Sequence, residues 1–281
     1  MVKIMTDSTN DLPKELLDKL GVEVIPLYVN FDNDSYKDGI DLTTEQLYEE
    51  VEKRGMLPKT AAVSIGDLMT AFEPHIKNGD EIVFTGISMQ MSRTYQNALM
   101  AKEELNTDKI YVVDSKNLST GIGLLILKAC KDRDKGLSGA EIAKNMEKNA
   151  DLVLSQFAIE KMDYLYKGGR CSSIAAIAAT VLRIKPIIQV RDGKMSVQQK
   201  PIGKMKVALD RMIAQIERDR DRLDTDHILV THSLAPESAA YIIPILKEKF
   251  PGVDILETVA GCVISSHCGR GTIGILYMVK E

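Results

Sequence analysis

Residues 2–20 read VKIMTDSTNDLPKELLDKL. An apolar run ends at Asp7-Ser8, and after it come a polar cap, an early proline and leucines at helical spacing, so the stretch predicts a strand followed by a helix. The same alternation continues along the first half. VEVIPLYV (22–29) reads as a second strand, FDNDSYKDG (31–39) as a polar hairpin excursion and TTEQLYEEVEKR (43–54) as a capped helix. EIVFTGIS (81–88) is a strand between the helical stretches DLMTAFEPHIK (67–77) and TYQNALMAKEEL (94–105). KIYVVDS (109–115) again closes on Asp-Ser, a helix follows from Asn117 to about Lys131, and DLVLSQFAI (151–159) is a further strand. Buried strands alternating with helices imply a parallel sheet flanked by helices.

The second half changes character after YLYKGGR (164–170). IKPIIQVRDGKMSVQQK (184–200) holds two β-runs around Asp192-Gly193, the signal for an antiparallel hairpin. HILVTHS, SAAYIIPILKEKF and VDILETVA form a strand–helix–strand unit, and TIGILYMV closes the chain. The expected fold class is therefore α/β: a parallel sheet flanked by helices, then a second, smaller α/β domain containing a hairpin. The division is placed at 1–160 and 161–281, with segments that cross it.

In 281 residues, 44% are apolar and 27% charged, which is globular composition, and the net charge of −4 argues against a surface that coats nucleic acid. No apolar run approaches the ~20 residues that span a bilayer, and the start shows no leader h-region. Cys130, Cys171, Cys262 and Cys268 lack CxxC spacing and read as free thiols of a reducing cytoplasm. With no Trp and 5% aromatics, base-stacking platforms are not expected.

Ligands of open parallel sheets bind beyond the carboxyl ends of the strands, where Asp7, Ser8, Asp114 and Ser115 fall. Ser92 precedes a helix beginning near Arg93, so its hydroxyl and the first helix N–H groups suit an anion, although simple capping is the plainer reading of this feature by itself. Thr60 lies in a loop near the same edge, and two glycines before Arg170 let the backbone present that guanidinium, or merely end a helix. SSIAAIAATVL (172–182) is a helix apolar nearly all round, fit for a core or for a long apolar ligand beside its backbone. His267, in SSHCGRG, is flanked by glycines on an expected loop, titrates in the physiological range and suits a carboxylate clamp. His232, Cys262, His267 and Cys268 are too scattered for a metal site, so none is expected. No G-x-S-x-G elbow, G-x-G-x-x-G or Walker motif occurs, so no nucleotide cofactor is expected and Ser–His hydrolysis remains an alternative.

TDSTNDLP, VVDSKNLSTGIG, MSRTYQNA, YLYKGGR, LRIKPII and SSHCGRGTIGI together resemble the DegV family across essentially the whole chain. That resemblance implies two α/β domains enclosing a long-chain fatty acid, in a cytoplasmic bacterial protein of phospholipid metabolism. It implies a binding protein rather than an enzyme, with the fatty acid as ligand and no cofactor. A separate fatty acid kinase subunit would receive the carboxylate for acyl-phosphate formation. Carried onto this chain, the clamp is Thr60, Ser92 with the Arg93 backbone N–H, and His267, while Arg170 becomes a contact for the kinase. Where the family has Ser-Gly-Thr this chain has Ser92-Arg93-Thr94, where it has Gly-Pro-Gly this chain has Gly269-Arg270-Gly271, and Ala61-Ala62-Val63 replaces Ser-Gln-Pro. The two added arginines keep a carrier of a phosphorylated small ligand open as a further alternative.

Overall fold

A computed structural model describes residues 1–175 and 184–281. The strands of the first half are β1 (Val2–Asp7), β2 (Glu23–Ile25), β3 (Tyr28–Phe31), β4 (Asp34–Lys37), β5 (Lys59–Ala61), β6 (Glu81–Gly86) and β7 (Ile110–Asp114). Those that follow are β8 (Val153–Ala158), β9 (Ile187–Arg191), β10 (Lys194–Gln199), β11 (Leu223–His232), β12 (Asp254–Val259) and β13 (Ile273–Val279). The helices are α1 (Lys14–Leu20), α2 (Thr44–Arg54), α3 (Ile65–Lys77), α4 (Thr94–Glu104), α5 (Thr120–Asp134), α6 (Gly139–Ala150), α7 (Asp163–Gly168), α8 (Met205–Arg218), α9 (Pro236–Lys249) and α10 (Cys262–Cys268).

A four-stranded sheet in the order β2-β1-β6-β7 is parallel throughout, as the βα alternation requires. A six-stranded sheet runs β10-β9-β8-β13-β11-β12 and is antiparallel except for the β11–β12 pair. The β9–β10 hairpin turns at Asp192-Gly193, both at positive φ, as the Asp-Gly signal predicts. A third, three-stranded antiparallel sheet is β4-β3-β5.

α5 lies between the two main sheets and touches β1 and β6 on one side and β8, β11 and β13 on the other. Its first turns are buried on every face, because the sequence there is apolar or small all round. Gly121 and Gly123 permit that close fit: a Cβ would meet Asn117 Oδ1 at 2.2 Å and Leu12 Cδ2 at 2.8 Å. α3, α4 and α6 pack on the parallel sheet, while α8 and α9 build a second core on the six-stranded one. All four cysteines are buried free thiols. No helix among the described residues is long and apolar enough to cross a membrane.

Two sequence expectations are corrected. VEVIPLYV is two strands, because Pro26 ends β2 and the chain turns into the three-stranded sheet as β3. β8, expected to finish the parallel sheet, instead pairs antiparallel with β13 and β9. Because β8 already belongs to the sheet of the second half, we propose that the expected division at 160 falls between Ala150 and Val153. The sheet of the second half is also the wider one. Of the apolar helix at 172–182, residues 172–174 form a 3-10 turn, and 176–182 lie outside the described residues.

Candidate functional site

A cavity of about 320 Å³ lies between the two layers, within the size range of pockets that enclose a small ligand. The first half contributes Leu27, Ile87 and Leu118 to its wall, and the second half contributes Phe157, Leu165 and Leu276. The lining also includes Thr60, Ser92, Arg93, Arg170 and His267, so these five candidates meet at one cavity, whereas Asp7, Ser8, Asp114, Ser115 and Arg270 are not among its lining residues.

Thr60 is on β5, a strand of only three residues and not a loop. Pairing with β3 opposite Val29 fixes its register. His267 is in the last turn of α10, again not on a loop, although glycines bracket the helix. The imidazole Nε2 and the Thr60 hydroxyl are 2.8 Å apart, a contact that joins the two halves of the chain across the cavity wall. Nδ1 is buried with no partner among the described residues. A proton on Nδ1 would leave a donor unmatched, which costs more than an unmatched acceptor beside apolar atoms. The favoured tautomer therefore carries its proton on Nε2 and donates to Thr60, leaving the Thr60 hydroxyl proton free for an anion.

His267 does not titrate in the physiological range as the sequence suggests. Burial, and after it the positive charge of Arg170, lower its pKa from 6.5 to about 4. The ring is neutral at pH 7 in the free protein, and an anion in the cavity would raise its proton affinity. Backbone fit matters here too, since a Cβ on Gly168 would sit 2.5 Å from Nδ1.

Ser92 acts one position earlier than expected. Arg93 holds the N-cap position of α4, and the Ser92 hydroxyl accepts from the Thr94 backbone N–H at 3.3 Å and lies 3.1 Å from the Thr94 hydroxyl. The side chain of Arg93 makes no cap bond to the helix. Arg170 is exposed and donates to the Gly168 carbonyl at 2.7 Å, which leaves most of its N–H groups to solvent. The nearest polar partner of His267 is thus Thr60 rather than Ser92, and no serine–histidine pair exists among the described residues. No cluster with metal-ligand composition occurs among those residues either.

Sequence reasoning missed two groups. Ser119, Thr231, Ser233 and Thr272 also line the cavity, but each is already hydrogen-bonded within the protein. Asp11, Asp38 and Gly261, which hold the other end of α10, were missed as well. Asp11 sits in the flagged TDSTND stretch, whereas nothing local marks Asp38.

The family model described as "Uncharacterised protein, DegV family" matches residues 1–280. A DegV domain-containing protein of Clostridium acetobutylicum is 34% identical over 281 residues, covering 99% of each chain. A solved structure from Thermus thermophilus, titled as fatty acid binding of a DegV family protein, superposes with a TM-score of 0.92 at 26% identity and covers 99% of each chain. That of Bacillus subtilis DegV, described as a fatty acid binding protein, gives a TM-score of 0.89 at 31% identity, also over 99% of each chain. With a family model spanning the whole fold and relatives matched along their full length, this chain belongs to the DegV family.

Proposed function

We propose that this chain is a lipid-binding protein that encloses a long-chain fatty acid in the cavity between its layers and presents the carboxylate at Thr60, Ser92, the Arg93 backbone N–H and His267. The observation that carries the reading is the Thr60–His267 contact at the wall of an otherwise largely apolar cavity. Solved relatives described as fatty acid binding support it. Burial of each methylene contributes about 0.8 kcal/mol, so a long tail supplies on the order of 10 kcal/mol before ordering costs. The hydroxyls and imidazole add far less net energy and set which end of the ligand sits where.

The carboxylate would then be offered to a separate kinase subunit for acyl-phosphate formation, with exposed Arg170 at the contact. A hydrolase is disfavoured because a serine nucleophile needs its base within hydrogen-bond reach, and Ser92 has Thr94 there instead. Native mass spectrometry of the purified protein, with extraction and identification of the bound compound, tests the reading. A stoichiometric fatty acid is the expected result. His267→Ala and Ser92→Ala are each expected to weaken fatty acid binding about tenfold, in line with loss of one or two hydrogen bonds to a charged group. A phosphorylated ligand in the extract, or unchanged affinity in both variants, would overturn the assignment.

A further inference from the structure

α10 is only seven residues long, so whatever grips its first residues also sets where His267 lies at its end. Those first residues are gripped from the other half of the chain. The Gly261 N–H donates to Asp11 Oδ1 at 2.8 Å, and the Cys262 N–H donates to Asp38 Oδ1 at 2.7 Å. The second oxygen of each carboxyl is used as well. Asp11 Oδ2 is 2.5 Å from the Ser119 hydroxyl, and Asp38 Oδ2 accepts from Ser8 at 2.8 Å. Ser119 lines the cavity, and Ser8 in turn accepts from the N–H of Leu27, another lining residue. The two carboxyls straddle Gly261, where a Cβ would meet Asp38 Oδ1 at 3.2 Å and Asp11 Oδ1 at 3.3 Å. Side chains 8% and 3% exposed, each using both oxygens, form a built clasp rather than a solvated acidic patch.

We propose that Asp11 and Asp38 are positioning residues for the head-group clamp: by holding the Gly261–Cys262 end of α10 against the N-terminal layer, they set His267 on Thr60. The role rests on the fatty-acid reading of the cavity for its functional meaning, but the geometry that it predicts at His267 does not. Neither residue touches the ligand; each acts through the helix.

Proton linkage supports the clasp. The titratable groups around it are Asp7 on β1 and Cys262 and Cys268 on α10. Among the described residues, no lysine or arginine is a partner of either carboxyl. Burial, reinforced by Asp38 and Asp7, raises the Asp11 pKa to about 8, so Asp11 is neutral at pH 7, and burial raises the pKa of Asp38 as well. Ser119 donates to Asp11 Oδ2 in the structure; a protonated carboxyl would turn that hydroxyl into the acceptor while still accepting from Gly261, a pairing that an amide reproduces.

The test uses the full chain with palmitate as the probe. Palmitate affinity, the imidazole NMR signals of His267 (assigned with His267→Gln) and the denaturation midpoint are followed in wild type, Asp11→Ala, Asp11→Asn and Asp38→Asn. Asp11→Ala should weaken palmitate about tenfold and shift the His267 signals, as expected for loss of a buried hydrogen-bonded group. Asp11→Asn should restore most of that loss. Between pH 6 and 9 wild-type affinity should fall while that of Asp11→Asn stays level, since only a carboxyl ionises beside Asp38. Asp38→Asn should move the His267 signals as well, because one oxygen acceptor becomes a donor facing Ser8. A folded Asp11→Ala protein with wild-type His267 signals and affinity would overturn the proposal, as would an Asn variant as impaired as Ala. If the wild type takes up no palmitate, the fatty-acid reading fails, and the His267 signals still decide whether the clasp positions the ring.

Discussion

The two ends of α10 differ in how fully their polar groups are matched. At the first end, the Gly261 and Cys262 N–H groups reach carboxyls, and the Ala260 carbonyl accepts from Thr44 at 2.7 Å. At the other, His267 has Thr60 on one nitrogen and no partner among the described residues on the other. A saturated buried network holds one arrangement, while at the other end the proton that Nε2 donates to Thr60 leaves the Thr60 hydroxyl proton available to an anion. The same short helix is thus an anchor at its start and a binding element at its end.

The contrast breaks most severely at Gly168. A Cβ there would lie 2.5 Å from His267 Nδ1, so Gly168→Ala should drive the ring off Thr60 and lower fatty acid affinity roughly 10–100-fold, the span expected for hydrogen bonds to a charged group. Calorimetric titration checks the affinity, and the denaturant midpoint should change little, because the ring moves rather than the core.

The ends also answer pH in opposite senses. His267 has its pKa lowered to about 4 by folding, so the unfolded chain binds the proton more readily, and stability falls as pH drops from about 6.5 towards 4. Asp11 has its pKa raised to about 8, so the folded chain holds a proton that the unfolded one has released, and stability falls as pH rises from about 4 to 8. Denaturation midpoints across pH 4–9 should show the acid-side loss shrink by about 3 kcal/mol in His267→Gln, and the loss on raising pH shrink in Asp11→Asn. Equal slopes in variant and wild type would show that the end in question does not titrate on folding.

The smallest effect is expected at Arg170. It lowers the His267 pKa through charge, second to burial, and its side chain is exposed. Arg170→Gln should raise the pH at which His267 titrates only slightly, and added salt should shrink the difference. NMR titration of the imidazole reads this directly. A large salt-independent change would mean that Arg170 shapes the cavity as well as its potential.

Much of this was legible in sequence because it is local. The hairpin at Asp192-Gly193, the capping box of Thr43 and Gln46, and the strand–helix–strand from β11 to β12 all follow from spacing. Thr60, Ser92 and His267 were reachable because their motifs resemble a known family, and all three line one cavity. β5 escaped notice because three residues are too few to show alternation, and α10 because its flanking glycines read as a loop. The sheet that β8 joins was not legible either, since a strand buried on both faces has the same pattern with parallel or antiparallel neighbours.

By itself, then, the sequence determined most of the strands and helices, though not β5, α10 or the break at Pro26, and which side chains have the chemistry to hold an anion, because periodicity and residue type are properties of neighbours along the chain. Only the tertiary structure decided that Asp38 meets the N–H of Cys262, 224 positions away, that Thr60 meets His267, and that His267 is neutral while Asp11 holds its proton. Proton affinity in a protein is set by burial and by charges brought near in space, and neither exists until the chain has folded.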